Sequence, residues 1–310
     1  MRSISVAICT RNRERLLRDT LTRLSLAVPP RRSSWEVVVV LNDCSDGSAT
    51  VVKELREVLP IVVAVEPRPG LCHARNRAID VAGGDVILWT DDDVRVDPQW
   101  LCAYEEAILR WPSSSVFGGP IRPRFEGVIP DWLERSWHLF PSAFAAREVP
   151  QGDAPIVPAG DDLPFGANFA IGADAQRRVR YDVRLGRRPG RWIIGGEELA
   201  VMREILRDGT GHWVPAAVVE HVIPPERQTV GYLRAYFQGH GYLLAMQSKE
   251  ASAQRSWREH LRELRGIVGA EIEFRRLRRT ADPERWVPAL VAAAVAQGRW
   301  AGARRGDVAV

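Results

Sequence analysis

The chain has 310 residues, 45% of them hydrophobic, with 43 Lys and Arg against 39 Asp and Glu for a formal charge of +4. That is enough chain for a full α/β core with an appendage, and so even a balance excludes nucleic acid as the main partner. The excess is uneven: residues 251–310 carry twelve Arg and seven acidic residues, so a +5 tail follows 250 residues that sum to −1.

The first apolar run, 4–9, has strand character and stops at Thr10-Arg11-Asn12-Arg13, with no segment resembling a targeting leader. Val, Ile and Leu dominate three more runs, 37–41, 61–65 and 86–89. The stretches between them, 13–26, 48–59 and 72–82, repeat every 3.6 residues, which predicts a βαβαβαβ unit around a parallel sheet. Ligands bind such sheets at the carboxyl ends of the strands. The polar loops Thr10-Arg11-Asn12, Asn42-Asp43, 66–70 and Asp91-Asp92-Asp93 all fall at such ends. Cys9, Cys44, Cys72 and Cys102 are widely spaced and form no CxxC pair, so they read as reduced thiols of a cytoplasmic protein.

The fourth run ends in three consecutive carboxylates, which repel one another unless a cation neutralises them. Strand alternation places Asp91 and Asp93 on one face and Asp92 on the other. Asp91 and Asp93 are therefore expected to hold Mg²⁺ or Mn²⁺, whose shell is completed by water and substrate phosphate. Asp97-Pro98 just beyond supplies a helix start of its own. In the loop 42–48, Ser48 or Asp46 caps a helix, while Asn42 and Asp43 either form an ordinary turn or bond a nucleoside. Gly70 leads into a helix whose N-terminus attracts anions, and Arg75 either pairs with phosphate there or is a solvated surface arginine. No GxGxxG or GxxxxGK[ST] occurs.

From 118 to 163 the sequence is irregular and rich in Pro and aromatics, the mark of a functional loop. Trp132, Trp137, Phe140 and Phe144 there either stack on an acceptor sugar or form loop core. A strand near 167–171, an Arg-rich loop, a helix at 197–207 and a strand pair at 213–214 and 218–222 follow. Helices at 230–247, 254–279 and 286–303 close the chain. The longest apolar stretch, 286–296, contains Pro288 and falls short of the roughly 20 residues that span a bilayer. Arg275-Arg276-Leu277-Arg278-Arg279 reads either as a solvated helix face or as a patch resting on an anionic membrane at the inner face.

These motifs resemble, in order, the family-2 inverting glycosyltransferases of GT-A fold, over roughly residues 3–245. Ser5 to Arg13 is similar to the opening strand and nucleotide loop, and Val39 to Ser48 to the motif whose acidic residue holds the nucleoside. Gly70 to Asn76 resembles the glycine-to-ARN stretch and Thr90-Asp91-Asp92-Asp93 the DxD. Phe165-Gly166-Ala167-Asn168-Phe169-Ala170 resembles the segment beneath the donor sugar, and Gly196-Glu197-Glu198-Leu199 the acidic base motif, with Glu-Glu where many members have Glu-Asp.

The resemblance implies a Rossmann-like mixed sheet flanked by helices. A GT-A catalytic domain would span 1–225, with a nucleotide-sugar half of about 1–118 and an acceptor half of about 119–225, and a helical extension 226–310 would follow. It further implies metal-dependent, inverting transfer of one sugar from a nucleoside-diphosphate donor, expected to be a UDP-sugar, to a hydroxyl of a sugar, lipid-linked or small-molecule acceptor. Thr10, Arg11, Asn12, Asn42, Asp43, Gly70, Arg75, Asp91, Asp92 and Asn168 would bind the donor. Asp91 and Asp93 would hold the metal, with His221 either a further ligand or structural. Glu198 is expected to be the base, with Glu197 the alternative and Asp161 or Asp162 next, because two residues at a helix start point about 100° apart and one alone can face the acceptor. A sugar-nucleotide pyrophosphorylase would need a Gly-rich, Lys-bearing loop where Thr10-Arg11-Asn12-Arg13 stands. A non-catalytic nucleotide-sugar scaffold would retain the Asp and Glu clusters as electrostatic liabilities. A processive synthase would carry QxxRW, whereas Gln297-Gly298-Arg299-Trp300 is one residue short.

Overall fold

The computed structural model describes residues 2–150, 152, 154–157, 163–187, 193, 195–248 and 257–304, and Asp161 and Asp162 lie outside them. These form two compact units: 1–124 with 144–186 and 197–222, and 125–143 with 187–196 and 223–310. The second unit is therefore not the contiguous 226–310 expected from the sequence.

In chain order the first unit opens with β1 (Ser3–Thr10), α1 (Glu14–Ser25), β2 (Ser34–Asn42), α2 (Ser48–Leu55), β3 (Ile61–Glu66), α3 (Leu71–Val81) and β4 (Val86–Asp91). It continues through β5 (Val94–Val96), α4 (Trp100–Arg110), β6 (Ser114–Gly118) and β7 (Ile121–Phe125). The second unit contributes α5 (Asp131–Ser136). The first resumes with β8 (Phe169–Gly172), α6 (Ala173–Arg178), α7 (Glu197–Ile205), β9 (Thr210–Trp213) and β10 (Val219–Ile223), and α8 (Val230–Gln247), α9 (Trp257–Arg278) and α10 (Pro283–Arg304) complete the second.

Seven strands form a sheet in the order β3-β2-β1-β4-β8-β6-β9, and β5-β10-β7 form a smaller one. The first four strands are parallel, while β8 runs antiparallel to both β4 and β6. The sheet is thus mixed. Val37, Val39 and Leu41 pack with α1, α2 and α4 on one face, and Val38 and Val40 with α3, α6 and α7 on the other. Burial on both faces explains the continuous apolar runs. The strand order reverses between β1 and β4, and their register sets Cys9 opposite Asp91. The loop after Thr10 and the three aspartates therefore meet at the crevice where such sheets bind ligands.

Three expectations change. The segment 118–163 is not irregular throughout: β6 ends at Gly118 and β7 follows within it, a short run whose Pro123 and alternating Arg give it no apolar signature. β9 and β10 do not pair with each other, because β9 joins β6 and β10 joins β5. Helix α4 starts at Trp100, and Asp97 shapes the turn before it by accepting from Gln99 N–H at 2.8 Å.

Within the second unit α8 and α10 are joined by backbone-close contact. A Cβ on Gly298 would stand 2.0 Å from the Gln238 carbonyl oxygen, and one on Gly241 2.2 Å from that of Val295. Trp132 of α5 stacks on Phe140 and packs 5.7 Å from Trp286 of α10, so the 125–143 segment supplies core to the helices. Phe140 and Phe144 are each 1% exposed and belong to packing, not to an open sugar platform.

Candidate active site

The strand ladder ends at Asp91, and residues 92 and 93 turn into β5. The alternation expected for the three aspartates therefore ends with Asp91, and Asp92 and Asp93 lie beyond the strand. Asp92 and Asp93 are both buried and share one cation: Arg13 Nη1 pairs with Asp92, and Arg13 Nη2 lies 3.0 Å from Asp93 Oδ2. Asp91 stays partly exposed, with Arg75 Nη2 at 3.8 Å. Thr10 Oγ1 donates to Asp92 Oδ2 at 2.7 Å. Burial pushes the Asp92 carboxyl up to about 6; the Arg13 charge offsets part of this, Asp93 adds to it, and the Thr10 hydrogen bond works with Arg13.

The other side of Asp93 faces His221, whose Nε2 is 3.4 Å from Oδ1. Strand β10 places this ring by pairing His221 with Val94. His221 Nδ1 lies 2.7 Å from the Phe144 carbonyl oxygen. A carbonyl can only accept, so Nδ1 carries a hydrogen and Nε2 is the ring atom left facing Asp93. A carboxylate oxygen and an imidazole nitrogen so spaced, with a carbonyl behind the imidazole, fit two ligands of one divalent ion. Among the described residues no cluster of three or more His, Cys, Asp or Glu offers a complete ligand set. The fit is thus to an ion such as Mg²⁺ or Mn²⁺ that takes its remaining ligands from water and phosphate.

On the far side of β4 stands Arg75, 3% exposed. Its guanidinium lies over the rings of Tyr181, Trp89 and Phe169 at 5.2, 5.8 and 5.9 Å, and Nη1 donates to Glu197 Oε1 at 3.1 Å. Burial penalises its charge, but Tyr181, Glu197, Glu198 and Asp91 outweigh the penalty and hold it protonated. Glu198 is placed differently. Its Oε2 is buried and has no hydrogen-bond partner among the described residues. A Cβ on Gly166 would come within 2.8 Å of Arg75 Nη2 and 3.5 Å of Glu198 Oε1, so glycine lets the backbone pass close to both side chains. Glu197, the alternative base, is the buried partner of Arg75.

Several residues expected to touch the donor are turned onto protein groups. Asn168 is fully buried: Oδ1 accepts from Trp100 Nε1 and Tyr104 Oη, and Nδ2 donates to the Pro120 and Ala217 carbonyls. Asn42 donates to the carbonyls of Glu66 and Arg68 and accepts from Gly70 N–H at 2.9 Å, so neither its side chain nor that N–H is free for a nucleotide. Thr10, Asp92 and Arg75 are likewise internal, and they position what surrounds them. Arg11, Asn12 and Asp43 remain at the rim. Arg11 pairs with Asp43 at 2.7 Å, and Asn12 and Asp43 adopt φ of 51° and 49°, which Asn and Asp tolerate in tight loops. Sequence reasoning missed Arg13, Gly166 and Tyr181. Arg13 alone carries a signal, as a cation in the loop that leaves β1 at the same sheet edge as the three acids.

Residues 5–159 match the family described as Glycosyl transferase family 2. The succinoglycan biosynthesis protein ExoM of Rhizobium meliloti (strain 1021) is 26% identical over 264 residues, 82% of this chain and 78% of that one. Among solved structures, the mannosyltransferase PcManGT of Pyrobaculum calidifontis, in complex with GDP-Man and Mn²⁺, superposes with a TM-score of 0.55 at 16% identity, over 97% of this chain and 74% of that one. GalNAc-T7 with UDP, GalNAc and Mn²⁺ gives 0.55 at 19%, over 80% and 50%. TarS of S. aureus gives 0.54 at 17%, over 86% of this chain but 43% of TarS, so this chain spans less than half of that protein. These likenesses share the GT-A architecture of a mixed sheet flanked by helices. With half of its length matched to the family and its motifs gathered at one sheet crevice, the chain belongs to glycosyl transferase family 2 and is a glycosyltransferase.

Proposed function

We propose that the chain transfers a single sugar, with inversion, from a nucleoside diphosphate sugar to an acceptor hydroxyl, in a reaction that requires a divalent metal. The buried Glu198 Oε2, left without a hydrogen-bond partner among the described residues, carries this reading. A carboxylate oxygen so held, with no described protein group hydrogen-bonded to it, can serve as the acceptor of a proton. Its neighbour Glu197 is occupied by Arg75. In the proposed reaction Glu198 takes the proton of the acceptor hydroxyl. The acceptor oxygen then bonds to the anomeric carbon as the bond from that carbon to the diphosphate breaks, and the leaving group keeps the electron pair.

Asp93 and His221 would hold the metal, with Asp91 at the exposed strand end as a further or water-mediated ligand. When bound, the ion neutralises charge developing on the departing diphosphate. Arg13 orients Asp93, and Thr10 does the same for Asp92. Arg11, Asn12 and Asp43 form the rim at which nucleoside and ribose would dock. Similarity to proteins solved with UDP and with GDP-Man supports a nucleotide-sugar donor. UDP is our choice, and the acceptor is a sugar or lipid-linked hydroxyl. None of the four cysteines is in a disulfide. Among the described residues no helix is long and apolar enough to cross a membrane. We assign residues 1–225 to catalysis and 226–310 to an accessory helical role.

Calorimetric titration of UDP with and without Mn²⁺ tests the reading. Binding in Mn²⁺ that EDTA abolishes is expected. Equal affinity in EDTA would remove the metal from the account.

A further inference from the structure

The face of α9 that the other described helices leave uncovered has a composition of its own. Leu261, Leu264, Val268 and Ile272 are 42%, 38%, 56% and 60% exposed. Their spacing of three and four residues sets them in one row along the helix. The opposite side packs inward through Phe274, 4% exposed. At 100° per residue, Arg265, Arg275 and Arg276 lie within about 75° of the row, whereas Glu263 and Glu273 lie more than about 120° away, and Arg279 follows in the turn just past the helix end. Glu271, the remaining acid nearby, is held by Arg234 at 2.8 Å and Arg275 at 3.1 Å.

The row runs toward a cleft of about 490 Å³ between α8 and α9, lined by Arg234, Arg275, Arg278, Arg279, Glu271 and Phe274. Four guanidinium groups around one carboxylate leave a strong surplus of positive charge. Arg278 lies over the Phe274 and Trp286 rings, 5.8 Å from each, which fixes its direction.

We propose that this face of α9 docks on an anionic phospholipid bilayer, with the apolar row entering the headgroup boundary and the arginine cleft taking a lipid phosphate. An apolar stripe flanked by arginines is the pattern that lies flat in a membrane interface. Long arginine side chains can keep their charged heads at phosphate level while their stems cover apolar surface. A second copy of the chain would set arginine against arginine along the same row. An acidic bilayer supplies both the apolar depth and the opposite charge. The inference concerns the accessory helices and does not depend on the chemistry assigned to Glu198.

Co-sedimentation of the full chain with vesicles tests it, using phosphatidylcholine alone and phosphatidylcholine with 30% phosphatidylglycerol. Binding to the anionic vesicles at low salt and its loss in high salt are expected. Replacing Arg265, Arg276 and Arg279 together by Gln should weaken partitioning about a hundredfold, at about fivefold for each charge removed near the surface. Leu264→Ser with Ile272→Ser should also release the protein. Unchanged nucleotide binding in both variants shows that they remain folded. Absence of binding to anionic vesicles overturns the proposal, as does equal binding by the arginine variant. Two other results overturn it by naming a different occupant: thermal stabilisation by inorganic pyrophosphate without vesicle binding, or a dimer in light scattering that Ile272→Asp dissociates.

Discussion

Arg75 Nη1 and Glu197 Oε1 meet at 3.1 Å in a buried pair between residues 122 positions apart. The pair joins α3 to the start of α7. Breaking such a pair from one side leaves an uncompensated buried charge and costs about 3–5 kcal/mol. Arg75→Met should therefore lower stability by about that much in urea melts. Glu197→Gln should cost less, since Asp91 and three aromatic rings still surround the guanidinium. A double-mutant cycle with coupling near zero would show that the two groups do not support each other.

Arg13 is the only resident cation on the Asp92–Asp93 side of the crevice that the described residues show. Arg13→Gln should depress the melting temperature of the metal-free protein, because two buried carboxylates then face each other unneutralised. Mn²⁺ should raise the melting temperature of this variant more than that of the parent. An equal metal-induced shift in both would mean that Arg13 and the ion do not act on the same aspartates.

Asn168→Ala should act on folding and not on donor recognition. Trp100 Nε1, Tyr104 Oη and the Ala217 carbonyl lose the bond that Asn168 makes, while the Pro120 carbonyl keeps Val219 N–H; at about 1–3 kcal/mol for each buried group left unsatisfied, a large loss of stability is expected. The folded fraction should bind nucleotide with parental affinity. A variant that melts normally but binds nucleotide weakly would put Asn168 back in the donor site.

Glu66 gives a pH signature. The Arg68 side chain, which bonds both carboxylate oxygens, holds it down to about 2 against an ordinary value of 4.5. A lowered folded pKa means that its contribution is present above about 4.5 and is lost as pH falls through about 2. Glu66→Gln should flatten the acid limb of the stability profile in that window. Parallel profiles for parent and variant would contradict the assignment.

Much of the fold is legible in the amino-acid sequence. The four Val- and Ile-rich runs become β1 to β4 because helices cover both faces of the sheet, and the motif loops fall at strand ends because parallel strands all point one way. What escapes reading depends on distance in space. Asn168 and Asn42 stand in motifs and look like ligand groups; only their four- and three-fold internal bonding shows otherwise. The aspartates mislead because alternation holds inside a strand, and β4 stops at Asp91. Arg13 gives little warning, since one arginine among many in a loop has no pattern until Asp92 and Asp93 turn toward it. β6 and β7 are short, and β7 carries Pro123 between arginines, so neither announces itself.

The central claim is that Glu198 is the base and that its role is separable from donor binding. The measurement is transfer by Glu198→Gln, beside nucleotide affinity in Mn²⁺, with Glu197→Gln in parallel. Removing a positioned base costs about 10²–10⁴ in rate. We expect Glu198→Gln to bind Mn²⁺ and nucleotide as the parent does, yet to transfer sugar slower by a factor in that range. Near-parental transfer by Glu198→Gln would contradict the account, and inactivity of Glu197→Gln with donor binding intact would then move the base one residue back.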